Sequence, residues 1–196
     1  GNNSIKELLK TLLIAGSIAI FFRSIFFEPF NIPSGSMIPS LLVGDYLFVS
    51  KYSYGYSKYS FPFGVVPIKD RVLEKSPKRG DVIVFRKPGD ETIDYIKRLV
   101  AMPNDTIQVR NGILYINNNK VDRIKSKIGF MRNSIGDEKT FTQYNETFDG
   151  LNYHEIIESS DQDIFDDTIE FKVPKDHFFF MGDNRDNSRD SRSPDV

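Results

Sequence analysis

Residues 8–27, LLKTLLIAGSIAIFFRSIFF, form an apolar run that limits the folds open to this chain. A helix needs about 20 mainly apolar residues to cross the hydrocarbon core of a bilayer. The uncharged centre of the run, residues 11–22, is shorter than that. Lys10 and Arg23 lie near its two ends, where long side chains can carry their charges to opposite interfaces. The run therefore predicts either a membrane-spanning helix or a helix buried in a core.

A cleaved secretion signal is a third interpretation, because the segment has a basic start and an apolar middle. Residues 23–30, RSIFFEPF, lack the small residues of a cleavage site, so we expect a retained anchor over residues 1–30. Lys6 and Lys10 precede the run, and no Lys or Arg occurs between Arg23 and Lys51. The positive-inside rule then places the N-terminus in the cytoplasm and residues 31–196 on the outer side of the membrane.

After residue 30 the sequence changes to short runs of branched and aromatic residues, which predict strands. The candidate strands are DYLFVSK (45–51), DVIVFRK (81–87), TIDYIKRLVA (92–101), TIQVRNGILYI (106–116), TIEFKV (168–173) and HFFFMG (177–182). Asn111-Gly112 predicts a hairpin, because both residues tolerate positive φ. Residues 122–167 are polar and weakly periodic, which indicates an inserted surface lobe. We expect a mainly β domain.

The composition excludes several kinds of site. Lys and Arg total 26 against 27 for Asp and Glu, so no broad positive field exists to collect phosphates, and nucleic acid is not an expected partner. With no cysteine, the chain has no disulfide, thiolate nucleophile or Cys-ligated zinc. His154 and His177 are too few for a histidine-rich metal site, and we expect structural roles for both. No metal or cofactor is expected.

The stretch NIPSGSMIPS, residues 31–40, is a turn rich in hydroxyl groups. Pro33 and Pro39 fix φ near about −65°, and Gly35 permits a tight turn, so the loop is held in one shape. A rigid loop of this kind can present a nucleophilic serine, although serine is also an ordinary turn residue. A serine nucleophile needs a base, and the surroundings of the two histidines distinguish neither of them.

Lys97 is a candidate base, because a neutral lysine accepts a proton. Strand alternation puts Lys97 on one face with Ile93, Tyr95 and Leu99, while the acidic neighbour Asp94 points away. Burial lowers the pKa of a lysine well below its usual value of about 10.4. The alternative is that its stem packs on the sheet while the ammonium group stays in water.

Residues 182–192, GDNRDNSRDSR, alternate Asp, Asn, Arg and Ser. A calcium loop of the EF-hand type is excluded, because the glycine of its sixth position is missing and Pro194 takes the place of the bidentate Glu. The balanced charges favour a network of ion pairs that holds a loop against the core. A solvated run of charges is the alternative.

Ser36 in PSGSMIPSLLVGD, Lys97 in DYIKRLV and the GDNRDNSRDSR run together resemble successive motif boxes of the bacterial type I signal peptidases. RGDVIVFRKP, residues 79–88, is similar to a further box. Members of this family are membrane-anchored Ser/Lys proteases that remove signal peptides from exported proteins. The resemblance implies a coiled β-sheet catalytic core with a β-containing insertion at about residues 122–167, preceded by one transmembrane helix.

The resemblance also implies roles for single residues. Ser36 would be the nucleophile and Lys97 its general base. The backbone N–H of Ser36 and the hydroxyl of Ser34 would form the oxyanion hole, and Ser188 would orient Lys97.

Two ion pairs would brace this site, Asp183 with Arg98 and Asp190 with Arg192. Shallow pockets would hold the small side chains one and three residues before the cut, and they would be lined by Phe30, Ile32, Met37, Leu41, Tyr95 and Ile96.

The activity implied by the resemblance is cleavage of N-terminal signal peptides at the outer face of the cytoplasmic membrane, through an acyl-enzyme and without a cofactor. The expected partners are preproteins and membrane lipid. One alternative is a soluble self-cleaving protease of the repressor type, which also uses Ser and Lys. The other is a membrane-tethered β-domain that binds peptide or glycan without cutting it.

Overall fold

The structure, a computed structural model, describes residues 2–50, 53, 75–132 and 137–193, without the side chains of residues 2, 3, 22–25 and 132. Within these residues it contains one α-helix, α1 (Asn2–Ile25), and twelve strands. In chain order the strands are β1 (Phe27–Asn31), β2 (Tyr46–Ser50), β3 (Val82–Lys87), β4 (Asp90–Ala101), β5 (Thr106–Arg110), β6 (Ile113–Ile116), β7 (Asn119–Lys120), β8 (Asp122–Arg132), β9 (Glu138–Thr147), β10 (Tyr153–Glu158), β11 (Phe171–Lys172) and β12 (Phe179–Met181). The prediction of a mainly β chain is confirmed, and the pairings within its sheets are antiparallel.

The chain forms two compact units, of which the first combines Gly1–Asn31 with Tyr46–Pro77. In this unit β1 pairs antiparallel with β2, from Phe27 opposite Ser50 to Asn31 opposite Tyr46. Large apolar side chains of α1 are exposed, namely those of Ile5, Leu8, Leu9, Leu12, Leu13, Ile14, Ile18, Ile20 and Phe21. Among the described residues, no helix has the length and apolar character that crossing a membrane requires.

The second unit combines Ile32–Asp45 with Lys78–Val196, and it holds three antiparallel sheets. Their strand orders are β12-β4-β3, β11-β5-β6-β7 and β10-β9-β8. The main core is built from apolar residues of the first two sheets and of the segments next to them. Its buried members are Val100, Ala101, Ile107, Val109, Leu114, Ile116, Val121, Val173, Phe179 and Met181.

The predicted hairpin at Asn111-Gly112 is present. Asn111 has φ 46° and Gly112 has φ 70°, and the two flanking strands, β5 and β6, pair antiparallel from Ile107 opposite Ile116 to Arg110 opposite Ile113. Positive φ at both central positions matches the twist of the strands, which is why asparagine and glycine suit this turn.

Strand β4 is the central strand of its sheet and carries Lys97. Lys97 lies opposite Ile83 of β3, and the next residue, Arg98, lies opposite Val82 on one side and Met181 of β12 on the other. The sequence predicted one apolar face for this strand. The structure buries every residue from Ile96 to Ala101, so both faces are covered in this half of β4.

The predicted inserted lobe, residues 122–167, contains β8, β9 and β10, which form one three-stranded sheet. After β10 the chain returns by way of residues 159–170 to β11 and β12. Residue Ile157 of β10 donates a backbone hydrogen bond to Asp183 (2.9 Å) and forms a parallel bridge with Asn184. The lobe is therefore hydrogen-bonded to the GDNRDNSRDSR segment.

Candidate active site

Ser36 and Lys97 are in direct contact. Ser36 lies in a 3-10 turn, Gly35–Met37, and Lys97 lies in β4. Lys97 Nζ is 2.6 Å from Ser36 Oγ, and these residues are 4% and 6% exposed. Ser34 Oγ is 3.4 Å from Ser36 Oγ. The structure thus brings the hydroxyl of a predicted nucleophile within hydrogen-bonding distance of the predicted base.

The loop that carries Ser36 is closed at its base by hydrogen bonds. Ile32 donates to the carbonyl of Asp45 (3.0 Å), and Gly44 donates to the carbonyl of Ile32 (3.0 Å). The carboxylate of Asp45 accepts from the backbone N–H of Leu42 (2.9 Å). These bonds fix the two ends of the loop together, so Ser36 is held at a defined place above β4.

The amine of Lys97 is in surroundings that favour its neutral form. Burial lowers the pKa of Lys97 below its usual value, Asp190 and Asp183 act against this shift, and the charge of Arg192 adds to it. The predicted setting was burial on an apolar face with the acidic neighbour pointing away, whereas the carboxylates of Asp190 and Asp183 lie near the amine. Each of them is engaged by an arginine, which reduces the field that it exerts on the amine.

Both predicted ion pairs are formed, each through two parallel hydrogen bonds. Arg98 binds Asp183 through Nε to Oδ1 (2.8 Å) and Nη2 to Oδ2 (2.7 Å). Arg192 binds Asp190 through Nε to Oδ1 and Nη2 to Oδ2, both 2.9 Å. Burial raises the pKa of Asp190, but Arg192 and further hydrogen bonds outweigh this effect and lower it. The two pairs hold both ends of the segment 183–192.

Ser188 lies beside this centre without a hydrogen bond to Lys97 in this structure. Its hydroxyl helps to lower the pKa of the Asp190 carboxyl, so the two groups are near each other. Yet Ser188 Oγ is buried and makes no hydrogen bond of standard geometry with any described residue. A hydroxyl that donates towards Asp190 keeps its oxygen lone pairs free to accept from another group.

The segment 182–188 also packs directly on the turn of Ser36. Asn184 donates from its backbone N–H to the carbonyl of Ser36 (3.0 Å) and from its side chain to the carbonyl of Gly35 (3.1 Å). A Cβ added at Gly182 would lie 2.5 Å from Ser36 O and closer still to Ser188 Oγ. Gly182 is therefore required for this close approach.

A cavity of about 630 Å³ opens over Ser36 and Lys97. Its wall combines hydroxyl, amide and charged groups with the rings of Tyr95 and Phe165, so it suits a peptide backbone as well as small side chains. The lining residues are Ser34, Gly35, Ser36, Tyr95, Lys97, Phe165, Asp186, Asn187, Ser188, Arg189 and Ser193.

The six residues predicted to bind substrate differ in burial and in whether they line the cavity. Tyr95 lines the cavity, whereas Ile32 and Met37 have no exposed surface and Ile96 is also buried. Two of the six remain: Leu41 is half-buried, and Phe30 belongs to the first unit, where it pairs with Leu47. Contact of these residues with a substrate stays a prediction.

The histidines lie outside the cavity wall. His154 Nε2 is 3.1 Å from Glu146 Oε1, and His177 Nδ1 is 3.1 Å from the carbonyl of Lys175. In the part of the chain that the structure describes, no group of three or more His, Cys, Asp or Glu is arranged to hold a metal ion.

Sequence reasoning missed three contributors to the site. Phe165 is a half-buried aromatic residue of the cavity wall, and it comes from the polar lobe. Asn184 binds the turn of Ser36, and the next residue, Arg185, binds Glu146 of the lobe. The local signal for Phe165 was the apolar pair Ile164-Phe165 within an acidic stretch, whereas nothing local indicates the partner of Arg185.

The chain is similar to known proteins over nearly its whole length. A family model described as signal peptidase, peptidase S26, matches residues 5–195. A protein named signal peptidase I from Rickettsia typhi (strain ATCC VR-144 / Wilmington) is 38% identical over 200 residues, which cover 97% of this chain and 74% of the relative. Another, from Rickettsia akari (strain Hartford), is 40% identical over 183 residues, which cover 89% and 67%.

Proposed function

Because the chain belongs to the signal peptidase family, peptidase S26, we propose that Ser36 and Lys97 perform the cleavage of signal peptides that characterises it. The activity is that of a serine endopeptidase acting on preproteins. The observation that carries the assignment of residues is the 2.6 Å contact between Lys97 Nζ and Ser36 Oγ in the wall of the cavity.

In the first step, neutral Lys97 takes the proton of Ser36 while Oγ attacks the scissile carbonyl carbon. The resulting ammonium group of Lys97 then gives this proton to the leaving amine as the C–N bond breaks. The products of this half are the free C-terminal part of the preprotein and an ester on Ser36. Water attacks the ester carbonyl carbon while Lys97 accepts one of its protons. Lys97 returns this proton to Ser36 Oγ as the C–O bond breaks, and the signal peptide leaves as a carboxylate after its new acid group loses its proton to solvent.

The oxyanion that forms at the scissile carbonyl needs hydrogen-bond donors. The Ser34 hydroxyl is on the cavity wall, 3.4 Å from the attacking oxygen, and the backbone N–H of Ser36 belongs to the nucleophile itself. A donor aimed at the place where charge develops stabilises the transition state more than the ground state. Ser34 and the Ser36 amide are the groups we assign to this task.

Ser188 completes the assignment. It shares the cavity wall with Lys97, and its buried hydroxyl lacks a hydrogen-bond partner of standard geometry among the described residues. When Lys97 becomes an ammonium group, it gains a proton to donate, and Ser188 Oγ is an acceptor free to take it. This contact orients the cation during the reaction.

We assign α1 to the membrane, with residues 31–196 on the outer side of the cytoplasmic membrane. Among the described side chains of α1, nine large apolar ones are exposed, and such exposure is costly in water and favourable in lipid. The apolar run continues in sequence to residue 27, with Lys10 and Arg23 near its ends. Extraction with alkaline carbonate separates the alternatives, because an anchored chain stays in the membrane pellet and a peripheral one is released.

The test of the activity is incubation of the full chain with a preprotein bearing an Ala-x-Ala cleavage site, followed by mass analysis of the products. We expect one cut after the second Ala with the wild type. Ser36→Ala and Lys97→Ala should give no cut and keep the thermal unfolding transition close to that of the wild type. Full activity of either variant contradicts the assignment, and binding of the preprotein without any cut by the wild type favours a binding module.

A further inference from the structure

A buried ion pair joins the inserted lobe to GDNRDNSRDSR, residues 182–192, which we call the catalytic segment. Glu146 belongs to β9 of the lobe, and Arg185 belongs to a 3-10 turn, Arg185–Asn187, within GDNRDNSRDSR. Arg185 Nη1 donates to Glu146 Oε2 (3.0 Å), and Nη2 donates to Oε1. The side chains are 2% and 1% exposed, so water does not screen this pair.

Further bonds from the lobe converge on the same few residues. Besides the bond from Ile157 to Asp183, the backbone N–H groups of Ser159 and Ser160 both donate to Asp186 Oδ2, at 2.6 and 3.0 Å. The lobe thus holds three positions in a row of four, 183, 185 and 186. The position between them is Asn184, which binds the carbonyls of Gly35 and Ser36.

Arg185 also acts on the other side of the reacting pair. Its carbonyl accepts a hydrogen bond from Arg192 Nη2 (2.6 Å), and Arg192 binds Asp190. Asp190 is the carboxylate with the largest influence on the Lys97 amine. A shift of Arg185 is therefore transmitted to Ser36 through Asn184 and to the surroundings of Lys97 through Arg192.

We propose that Glu146 is a positioning residue for signal peptide cleavage: from the lobe, it fixes Arg185 and thereby the segment that holds Ser36 and Ser188 in register with Lys97. The proposal rests on the function proposed above for Ser36 and Lys97. It gives the lobe a part in the reaction, although the lobe supplies neither the nucleophile nor the base. Glu146 acts through Arg185 and does not touch the cavity.

Charged groups around the pair define which variants are informative. Glu146 faces Arg185 and His154, and Arg185 also lies within the fields of Glu158 and Asp183. Glu146→Gln keeps the size of the side chain and removes its charge, which leaves the guanidinium without its direct counter-ion. Glu146→Asp keeps the charge and withdraws the carboxylate by one methylene.

The first experiment measures kcat, KM and the pH dependence of kcat/KM for preprotein cleavage by the wild type and Glu146→Gln. We expect kcat to fall about 10- to 100-fold, because a misplacement on the order of 1 Å has such an effect on a reacting pair. KM should change less than kcat, since every lining residue is still present, although four of them belong to the loosened segment. The rising limb of the pH profile should move to higher pH, because loosening the segment admits water to Lys97.

Glu146→Asp covers the case in which Glu146→Gln does not fold. Its charge pair is preserved, so we expect a thermal transition close to the wild type together with a smaller loss of kcat and a smaller shift of the profile. A folded Glu146→Asp or Glu146→Gln variant with the kcat and pH profile of the wild type overturns the proposal.

Arg123→Met is the matched control. Arg123 makes a similar buried pair within the lobe, from Nη1 to Glu158 Oε2 (2.5 Å), and within the described residues it makes no hydrogen bond to the segment 182–192. We expect it to lower the thermal transition and to leave kcat and the pH profile unchanged below that temperature. If Arg123→Met changes kcat and the profile as much as Glu146→Gln does, the effect is one of general stability and the proposal is overturned.

The wild type and Ser36→Ala, assayed together, separate this proposal from the one on which it rests. A wild type that does not cut, or a Ser36→Ala variant that does, overturns the proposed function, and the role of Glu146 with it. A cutting wild type with an inactive Ser36→Ala variant leaves the decision to the Glu146 variants alone.

Discussion

Arg98 binds Asp183 through two parallel hydrogen bonds, and Arg98 is the residue that follows Lys97 in β4. The strand that carries Lys97 therefore also fixes the first acidic residue of the segment that packs on the turn of Ser36. Arg98 donates in addition to the carbonyl of Gly80 (2.7 Å). Its guanidinium thus ties together three parts of the second unit, the stretch before β3, β4 itself and the segment 182–192.

Arg98→Met should destabilise the protein strongly. Removing one partner of a buried pair leaves the other charge without compensation, which costs about 3–5 kcal/mol. The measurement is the free energy of unfolding from a urea titration. Arg86→Met is the control, because Arg86 and Asp94 form a half-exposed pair at 3.0 Å, and an exposed pair contributes about 0–1 kcal/mol. Equal losses in the two variants would contradict the prediction.

The stability of the protein should depend on pH through Lys97. Burial lowers the pKa of Lys97 in the folded state, so between that pKa and 10.5 the unfolded chain binds more protons than the folded one. The free energy of unfolding should therefore rise with pH through this window. Lys97→Met should reduce this rise and be more stable than the wild type at neutral pH, as urea titrations at pH 7 and pH 10 would show. The prediction is refuted if the free energy of unfolding of Lys97→Met rises with pH as steeply as that of the wild type.

Acid should weaken the protein through Glu146. Burial raises the pKa of Glu146, but the charge of Arg185 and hydrogen bonds from His154 and Arg185 outweigh it and lower the pKa to about 2, from 4.5. The carboxylate then contributes about 3 kcal/mol above pH 4.5, and this is lost as the pH falls towards 2. The stability difference between the wild type and Glu146→Gln should shrink over that range. A constant difference between pH 6 and pH 2 would disagree with this account.

Ser34→Ala should lower kcat about 100- to 1,000-fold, the usual effect of losing one oxyanion donor. Since Ser34 is exposed, the temperature of thermal unfolding should remain that of the wild type. Ser40→Ala removes another exposed hydroxyl of the same loop and should keep nearly full activity. The prediction fails if both variants cleave a preprotein at the wild-type rate.

Gly182→Ala should abolish cleavage and reduce stability, because the added methyl group would overlap with the carbonyl of Ser36 and the hydroxyl of Ser188. Gly16→Ala in α1 is the control, since a Cβ at that position has no atom within 4 Å to meet. Cleavage assays and thermal unfolding of both variants provide the comparison. An active Gly182→Ala variant would show that the segment can move away from Ser36.

The sequence was informative where local patterns determine structure. Asn111-Gly112 predicted its hairpin because the requirement for positive φ is a property of the two residues themselves. Alternation along β4 placed Lys97 on an apolar face, and Lys97 is buried in the structure. The pattern also put Arg98 on the opposite face, but it gave no reason to expect that this face is covered as well.

The contacts between the lobe and the catalytic segment could not be predicted in this way. Glu146 and Arg185 each stand in a polar, charged stretch, and such stretches usually form a solvated surface. Only the tertiary fold brings β9 against the 3-10 turn and removes water from both side chains. Phe165 was missed for the same reason, because its position in the cavity wall depends on the path of the chain back from the lobe.

The backbone hydrogen bond from Ile157 and the carboxylate of Glu146 together determine where the lobe packs on the segment 182–192. A chimera that carries the lobe of another family member should therefore fold correctly only if the grafted lobe places a carboxylate where it can pair with Arg185. A change in β9 that removes this carboxylate therefore has its consequence in GDNRDNSRDSR, although the two stretches are far apart along the chain.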